Sequence, residues 1–338
     1  MIAFTLPRQR SAMSGTPQPA DWSTGDSAVF VLKNGLSAVH ARNIALSAPA
    51  RGNVFVATAV NPQIAGALAG LPGARVLTPA QFDFRKPGVW LERLRGQRVD
   101  LFHSLSHATA NRAQRGLPPH REFIVEHGIT ETLRFLKSCA HGSRKPGRTY
   151  LLSFHAPLMK FLARHGLEPT VAALPAPVPP PLPITAAPRD AALFAAQPMI
   201  ERECASEDGL ADVLRRFLKR KPYARYLIRL HPADCARTVA VMRREMDALG
   251  IGHETVPAND VLELAFPDYG CPEIVSCWST SSMLVGQLHG VKWDTAIPEM
   301  IERVDGMKPR YRLEIRTIGA IFGLIEDDGS VLRELRAL

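Results

Sequence analysis

The chain has 338 residues, 46% of them hydrophobic, and a formal net charge of +9 at pH 7. This length accommodates two domains of ordinary size, and no window of about 18 uncharged apolar residues marks a membrane span. The positive charge favours an anionic partner such as a nucleotide, an anionic glycan, a nucleic acid or lipid head groups. Basic and aromatic residues are not interleaved and no zinc-finger spacing occurs, which argues against nucleic acid.

Residues 1–26 are predicted to form a polar, mobile tail. Arg8 and Arg10 precede a stretch rich in Ser, Pro and Gly instead of the apolar core of a signal peptide. We therefore expect a cytoplasmic protein. The cysteines agree with this expectation, because five cysteines without a Cys-x-x-Cys pair favour neither a disulfide framework nor a structural zinc site.

Apolar runs alternate with helical patterns between residues 27 and 172, which we predict to be an amino-terminal domain. Lys33-Asn34-Gly35 interrupts the first run, and Ser37 is predicted to cap the helix that follows. The predicted strands cover 28–32, 54–57, 74–77, 99–103 and 123–126, and the predicted helices cover 38–46, 63–68 and 130–137. This alternation indicates a parallel sheet with helices on both faces.

A proline-rich segment follows this pattern. Residues 174–183 contain prolines at positions 175, 177, 179, 180, 181 and 183. Such a segment forms neither a helix nor a central strand, and polyproline-type extension makes it a semi-rigid spacer. We predict a linker over 173–188, while a recognition ligand for a domain with an aromatic groove is the alternative.

The alternation resumes in a predicted carboxyl-terminal domain over 189–338. Its predicted strands cover 192–195, 226–230, 252–256, 273–276 and 291–293. Its predicted helices cover 208–218, 236–249, 259–264 and 331–338. Two such halves joined by a spacer predict two Rossmann-like domains with a cleft between them.

A His-Pro pair ends the second strand of this domain. Pro232 cannot donate to a sheet ladder and biases His231 toward extended geometry, so the strand is expected to stop there. His231 would then lie at the carboxyl end of a strand, the edge where open α/β sheets bind ligands. It suits contact with a phosphate or a leaving group, and the alternative is a histidine that caps a turn.

A hydroxyl-rich turn follows the fourth strand of the same domain. Ser279 or Thr280 is a natural N-cap for the apolar helix that begins there. The unpaired amides of that turn, together with the hydroxyls of Ser276 and Ser281, would form a phosphate site. The alternative is that these side chains only cap the helix and fill the turn.

Two further segments contain candidate catalytic or ligand-binding residues. Glu126 and His127 follow the fifth predicted strand, where a carboxylate suits a general base facing the cleft; the alternative is an exposed acid near a helix N-terminus. Gln197 follows the strand at 192–195, and its side chain could meet a ligand. Asp327-Asp328-Gly329 is predicted to form a turn, and we predict no metal site.

Together these motifs resemble those of the bacterial sialyltransferases and their relatives, chiefly glycosyltransferase family 52 and the bacterial polysialyltransferases. Each motif is short, and the resemblance depends on their common order and approximate spacing over most of the chain. The resembling segments are 28–36, Glu126-His127-Gly128, Leu193–Pro198 with Glu207-Asp208-Gly209 after it, Leu230-His231-Pro232 and Ser279-Thr280.

The resemblance implies an α/β fold of the GT-B type and inverting transfer of an acidic sugar, usually sialic acid, from a CMP-activated donor without a required metal or cofactor. By position, Glu126 would deprotonate the acceptor hydroxyl. His231 would assist departure of the CMP phosphate as an acid or as a hydrogen-bond donor. The residues implied in donor binding are Pro232, Gln197, Ser276, Ser279, Thr280 and Ser281.

The chain departs from the family pattern at His127, where an acidic residue is usual, and at Ala196, where glycine is usual. The first departure leaves the base open between Glu126 and His127. Together the two departures also allow CMP-Kdo or another nucleotide sugar as the donor. They equally allow an epimerase, or a non-catalytic relative that binds a nucleotide or glycan. The basic surface suits an anionic acceptor such as capsule or lipopolysaccharide, and contact with the inner membrane face.

Overall fold

Two parallel sheets with flanking helices make up the chain in the computed structural model. Residues 1–24, which hold most of the predicted tail, lie outside the described residues. Asp26 already belongs to the fold, because its backbone N–H donates to the carbonyl of Arg98. The structure describes residues 25–47, 52–58, 61–78, 81, 94–103, 120–125, 149–153, 155–164, 173–175, 186, 190–303 and 307–326.

The amino-terminal domain is built on a seven-stranded parallel sheet of order β3-β2-β1-β4-β5-β6-β7. Its strands are β1 Ser27–Leu32, β2 Gly52–Ala57, β3 Arg75–Leu77, β4 Val99–His103, β5 His120–Val125, β6 Thr149–Ser153 and β7 Ala173–Pro175. The described helices of this domain are α1 Gly35–Ser47, α2 Pro62–Leu68 and α3 Ala156–Arg164.

The carboxyl-terminal domain is built on a five-stranded parallel sheet of order β10-β9-β8-β11-β12. Its strands are β8 Ala192–Ala195, β9 Arg225–Arg229, β10 Gly252–Val256, β11 Glu273–Ser276 and β12 Lys292–Thr295. Its described helices are α4 Glu207–Arg220, α5 Ala236–Ala248, α6 Leu262–Tyr269, α7 Thr280–His289, α8 Ile297–Ile301 and α9 Pro309–Ile321.

Each sheet reverses its winding direction once. The reversal lies between β1 and β4 in the first sheet and between β8 and β11 in the second. A doubly wound parallel sheet opens a crevice at this switch point, outside the carboxyl ends of the strands. The predicted α/β fold of two Rossmann-like, GT-B-like domains is confirmed.

A ladder of stacked aromatic rings crosses the amino-terminal sheet. The rings come from five neighbouring strands in direct register, and successive centroids are 5.0, 4.7, 4.8 and 5.1 Å apart. These distances match the spacing of about 4.8 Å between strands, because parallel strands in register place one ring above the next. The ladder consists of Phe55, Phe30, Phe102, Phe123 and Tyr150.

The two domains meet through helices and through loops that follow their strands. Gly35, which begins α1 after β1, lies so close to Val261 that a Cβ added to Gly35 would be 2.3 Å from Val261 Cγ2. The ring of His155, which follows β6, meets Phe322 at the end of α9 edge-on, with centroids 5.3 Å apart. The carboxyl ends of both sheets therefore face a shared region.

Most predicted strands agree with the structure to within three residues at each end, but several helix predictions were wrong. Asn34, not Ser37, caps α1: Asn34 Oδ1 accepts the Ser37 amide, and Ser37 Oγ accepts the Asn34 amide in return. The helix predicted over 259–264 begins at Leu262 instead, and three helices were not predicted at all, namely α3, α8 and α9. The predicted helices 130–137 and 331–338 lie outside the described residues.

The proline-rich segment begins as part of the first sheet. Ala173–Pro175 pairs with β6 as the edge strand β7. An edge strand tolerates proline, because the missing N–H need not donate to a neighbouring strand. The amino-terminal domain therefore extends past residue 172. The linker over the remaining residues stays a prediction, since 176–185 lie outside the described residues.

No helix within the described residues is both long and apolar enough to cross a bilayer. No disulfide joins the four described cysteines, which are all buried.

We predict that Gly35→Ala destabilises the protein by about 1–3 kcal/mol, because the new methyl group would overlap the stiff side chain of Val261 at the domain contact. Gly66→Ala is the matched control. A Cβ at Gly66 meets no atom within 4 Å, and alanine gains about 0.5–1 kcal/mol in a helix. The free energy of unfolding in urea measures both changes.

In a Val261→Ala background, the Gly35→Ala substitution is expected to cost less than about 1 kcal/mol, because its clash partner is gone. Equal stabilities of the Gly35→Ala and Gly66→Ala proteins would contradict this account of the contact.

Candidate functional site

The loops after β8 and β11 are joined across the switch point of the carboxyl-terminal sheet. Gln197 Oε1 accepts a hydrogen bond of 2.9 Å from the backbone N–H of Trp278. The two strands pair directly, with Ala195 opposite Ser276, so their loops begin side by side. Gln197 thus positions the loops that border the crevice, and its carbonyl oxygen is occupied by this contact.

His231 lies at the carboxyl edge of the same sheet, two residues after β9 ends. Its Nδ1 accepts a hydrogen bond of 3.0 Å from the backbone N–H of Ala233. An imidazole nitrogen that accepts a hydrogen bond carries no proton, so the neutral ring has its proton on Nε2. The half-buried ring can therefore offer an Nε2–H donor to a ligand.

The surroundings of His231 keep this ring neutral. Its burial and the charges of Arg202 and Arg229 lower its pKa below the ordinary value of 6.5. Of the two roles left open by the sequence, acid or hydrogen-bond donor, the second is the one that a neutral ring with an Nε2–H performs. Pro232 is exposed and has no N–H to donate, and its predicted part in binding the nucleotide-sugar donor stays a prediction.

The turn after β11 is organised by a serine that is completely buried. The Ser276 hydroxyl accepts the Ser279 amide at 3.0 Å and contacts Ser282 Oγ at 2.9 Å. Ser276 has no exposed surface, and its predicted contact with the nucleotide-sugar donor stays a prediction. The side chain of Ser276 fixes the backbone that presents the following hydroxyls.

Ser279, predicted together with Thr280 as a candidate N-cap, is the N-cap of α7. Its hydroxyl oxygen accepts the Ser281 amide at 3.2 Å, which leaves the hydroxyl proton available as a donor. Thr280 and Ser281 form the first turn of α7 and are partly exposed. Side chains and backbone of the turn accept the amides of Ser279, Ser281 and Ser282, so this end of α7 offers an anion the Thr280 amide and the partly exposed hydroxyls.

A buried cation lies beneath the crevice. Arg229 is the last residue of β9 and is only 5% exposed. Its guanidinium donates to the carbonyl of Asp260 and, from Nε at 3.2 Å, to the Tyr269 hydroxyl. Within the described residues no carboxylate lies within ion-pairing distance of it. A buried charge without an ion pair is expensive and raises the positive potential around it.

Glu263 connects this cation to the hydroxyl turn. Glu263 is 3% exposed. Its carboxyl group hydrogen-bonds with the side chain of Ser281 and interacts electrostatically with the charge of Arg229. Burial raises the pKa of the Glu263 carboxyl group, and the charge of Arg229 and the Ser281 hydrogen bond oppose that effect. Oε1 of Glu263 has no hydrogen-bond partner within the described part of the chain.

The sequence reasoning placed His231, Gln197, Ser279, Thr280 and Ser281 on one edge of one sheet, and the structure does the same. The sequence reasoning did not identify Arg202, Arg229 or Glu263. A signal for Arg229 was present, because a charged residue interrupts the apolar run of β9 although both its neighbours are apolar. Arg202 and Glu263 carry no local signal, since tertiary packing alone brings them to the site.

The proposed base lies beyond what the structure describes. β5 ends at Val125, and Glu126 and His127 fall outside the described residues. Their assignment therefore stays a prediction. No group of three or more His, Cys, Asp or Glu residues within the described ranges is arranged to hold a metal ion. A metal-independent reaction is likewise still a prediction.

Comparisons with known proteins give similarity in structure alone. No family model and no curated protein matches the chain. A UDP-glucosyltransferase from Polygonum tinctorium capable of glucosylating indoxyl is 14% identical, covers 92% of this chain and 98% of its own, and has a TM-score of 0.47. Phytolacca americana UGT2 is 11% identical, with coverages of 92% and 93% and a TM-score of 0.46. Anabaena HepE, solved with UDP, is 9% identical, with coverages of 92% and 100% and a TM-score of 0.41. These similarities identify neither a family nor the role of any residue.

We predict that nuclear magnetic resonance of nitrogen-labelled histidine finds His231 protonated on Nε2 and not on Nδ1 at pH 7, with a pKa below 6.5. Arg202→Gln is expected to raise this pKa toward 6.5, because one of the two cations that lower it is removed. Arg225→Gln, at the opposite edge of the sheet, is the control and should leave it unchanged. A pKa at or above 6.5 in the wild type would refute this description of the ring.

Proposed function

We propose that the protein is a glycosyltransferase that moves an acidic sugar, sialic acid first of all, from a CMP-activated donor to a hydroxyl group of a surface glycan, capsule or lipopolysaccharide. The observation that supports the proposal is a set of donors at one switch point above a buried cation. The set comprises the Nε2–H of His231, the hydroxyls of Ser279, Thr280 and Ser281, the Thr280 amide at the start of α7, and Arg229.

The chemistry follows from where charge develops. Cleavage of the bond between the sugar and the phosphate leaves a second negative charge on the CMP phosphate. Donors that are already oriented stabilise that charge without reorganisation. A neutral His231 acts as such a donor, and the positive potential of Arg229 and of the α7 N-terminus acts over the same region.

The acceptor reaction needs a base on the opposite domain. We propose that Glu126, or His127 if the departure from the family pattern is functional, takes the proton of the acceptor hydroxyl. Direct attack by that hydroxyl inverts the anomeric carbon. The formal charge of +9 suits an anionic glycan or glycolipid as the acceptor.

We predict that His231→Ala lowers release of CMP from CMP-sialic acid about 100-fold, the usual cost of losing one oriented donor to a developing charge. The assay contains a chelator and is repeated with CMP-Kdo and UDP-glucose. His253→Ala is the matched control, since His253 is paired with Asp247 near the amino end of β10 and is expected to keep full activity.

Turnover of CMP-Kdo alone would change the sugar in this proposal and keep its mechanism. Turnover of UDP-glucose alone would overturn the CMP donor. Tight CMP binding without turnover of any donor would identify a non-catalytic relative.

We predict that Glu126→Ala lowers transfer to the acceptor by about 100-fold or more, while hydrolysis of the donor by water falls much less, because a base serves the acceptor oxygen and not the leaving phosphate. The measurement uses a panel of oligosaccharides ending in galactose or sialic acid. Glu131→Ala is the control within the same segment. Equal losses in the two variants would exclude Glu126 as the base and direct attention to His127.

A further inference from the structure

The elements that carry the candidate site also pack against the amino-terminal domain. Leu284 and Leu288 lie on α7, the helix that begins with the hydroxyl turn, and they share one apolar cluster with the core of that domain. Val261, which directly precedes α6, belongs to the same cluster. All three side chains are buried. The domain proposed to bind the acceptor therefore contacts the framework of the candidate site.

Asp260 and Val261 form a short bridge between the two domains. The side chain of Val261 packs against Gly35 of α1, where an added Cβ would overlap it. The backbone carbonyl of Asp260 accepts a hydrogen bond from the guanidinium of Arg229 and another, of 3.5 Å, from Nε2 of Gln63 in α2. Two adjacent residues thus join the amino-terminal domain to the buried cation.

The guanidinium of Arg229 takes its place from both ends of α6. The backbone of Arg229 is fixed in the sheet, since its carbonyl accepts the Ala196 amide at 2.9 Å. Beyond the strand, the guanidinium donates to the Asp260 carbonyl before α6 and to the Tyr269 hydroxyl at its end. Both of these acceptors are neutral, so directional hydrogen bonds hold the group where it lies.

The covalent geometry links Val261 directly to this arrangement. The Asp260 carbonyl belongs to the peptide unit that ends at the Cα of Val261, and a peptide unit is planar and rigid. A displaced Val261 therefore moves the carbonyl oxygen that Arg229 contacts. The valine side chain is stiff and its surroundings are close-packed, so a shift of the opposite domain reaches the carbonyl without being absorbed on the way.

We propose that Val261 is a positioning residue, through which the amino-terminal domain holds Arg229 in place beneath the candidate site. Contact with Gly35 fixes Val261, the rigid peptide unit fixes the Asp260 carbonyl, and that carbonyl orients the guanidinium. The site then reaches its full affinity for a phosphate only when the two domains are seated against each other. The choice of CMP as the ligand rests on the proposed function, whereas the bridge itself does not.

The test adds one methyl group to the domain opposite the donor site. Gly35→Ala is expected to weaken the binding of CMP to the full chain by about 5-fold or more, because the methyl displaces Val261 and with it the carbonyl that orients Arg229. Isothermal titration measures this affinity. In a Val261→Ala background, the same substitution should change the affinity less than about 2-fold, because the clash partner is gone.

A spectroscopic measurement follows Arg229 itself. Its Nε–H is buried and donates to the Tyr269 hydroxyl at 3.2 Å, so its nitrogen-15 signal in arginine-labelled protein should exchange slowly with water. The signal is assigned by its absence from Arg229→Lys. It should shift in Gly35→Ala and also in Val261→Ala, which loosens the same contact by removing methyl groups and supplies the measurement if Gly35→Ala does not fold.

Val29→Ala is the matched control. It removes the same two methyl groups from a fully buried valine of β1, in an apolar cluster separate from the one that contains Val261. It should lower the stability in urea at least as much as Val261→Ala does, and leave the CMP affinity and the Arg229 signal unchanged.

In a wild type that binds CMP, the absence of either change in the contact variants would overturn the inference while the proposed function stands. Equal weakening of CMP by Val29→Ala would also overturn it, since the effect would then reflect lost stability. A wild type that does not bind CMP would overturn the proposed donor, and the Arg229 signal would then decide alone whether Val261 positions that residue.

Discussion

The candidate site depends on a positive charge that is buried without a matching carboxylate. Arg229 ends an apolar strand, and among the residues that the structure describes its hydrogen bonds are accepted by a carbonyl and a phenol hydroxyl. Such burial costs several kcal/mol unless another interaction compensates it. The same charge lowers the pKa of His231 and acts on the buried acid Glu263, which itself contacts the hydroxyl turn at Ser281. An anionic ligand at this edge would supply the missing countercharge.

Many other charges of the carboxyl-terminal domain are paired with opposite charges. Lys221 and Arg220 form a network with Glu273, Asp294 and Glu299. Paired charges there contribute little potential at a distance, because opposite signs cancel. The net charge of the whole chain therefore favours an anionic partner without locating its site, whereas the buried Arg229 marks a position in the fold.

Sequence patterns predicted ten of the twelve described strands, because a buried parallel strand is a short apolar run, but they missed the central strand β6. The edge strand β7 was hidden in a proline-rich segment, since an edge position tolerates residues that a central strand excludes. Helices α8 and α9 were missed, and the start of α6 was misplaced, because packing against the sheet and the other domain decides them more than local propensity does. Ser276 resembled its neighbours in sequence, but it is completely buried.

By itself the sequence determined the alternation of strands and helices, and with it two doubly wound sheets whose carboxyl ends carry His231 and the serine turn. Parallel strands place their ends on one edge, so this much follows from order along the chain. Tertiary structure alone decided which nitrogen of His231 carries the proton, which serine is buried, and which arginines lack a partner. The proton position follows from the fold of the turn that brings the Ala233 amide to the ring, and the surroundings of Arg229 come from Asp260 and Tyr269, which are 31 and 40 residues away along the chain.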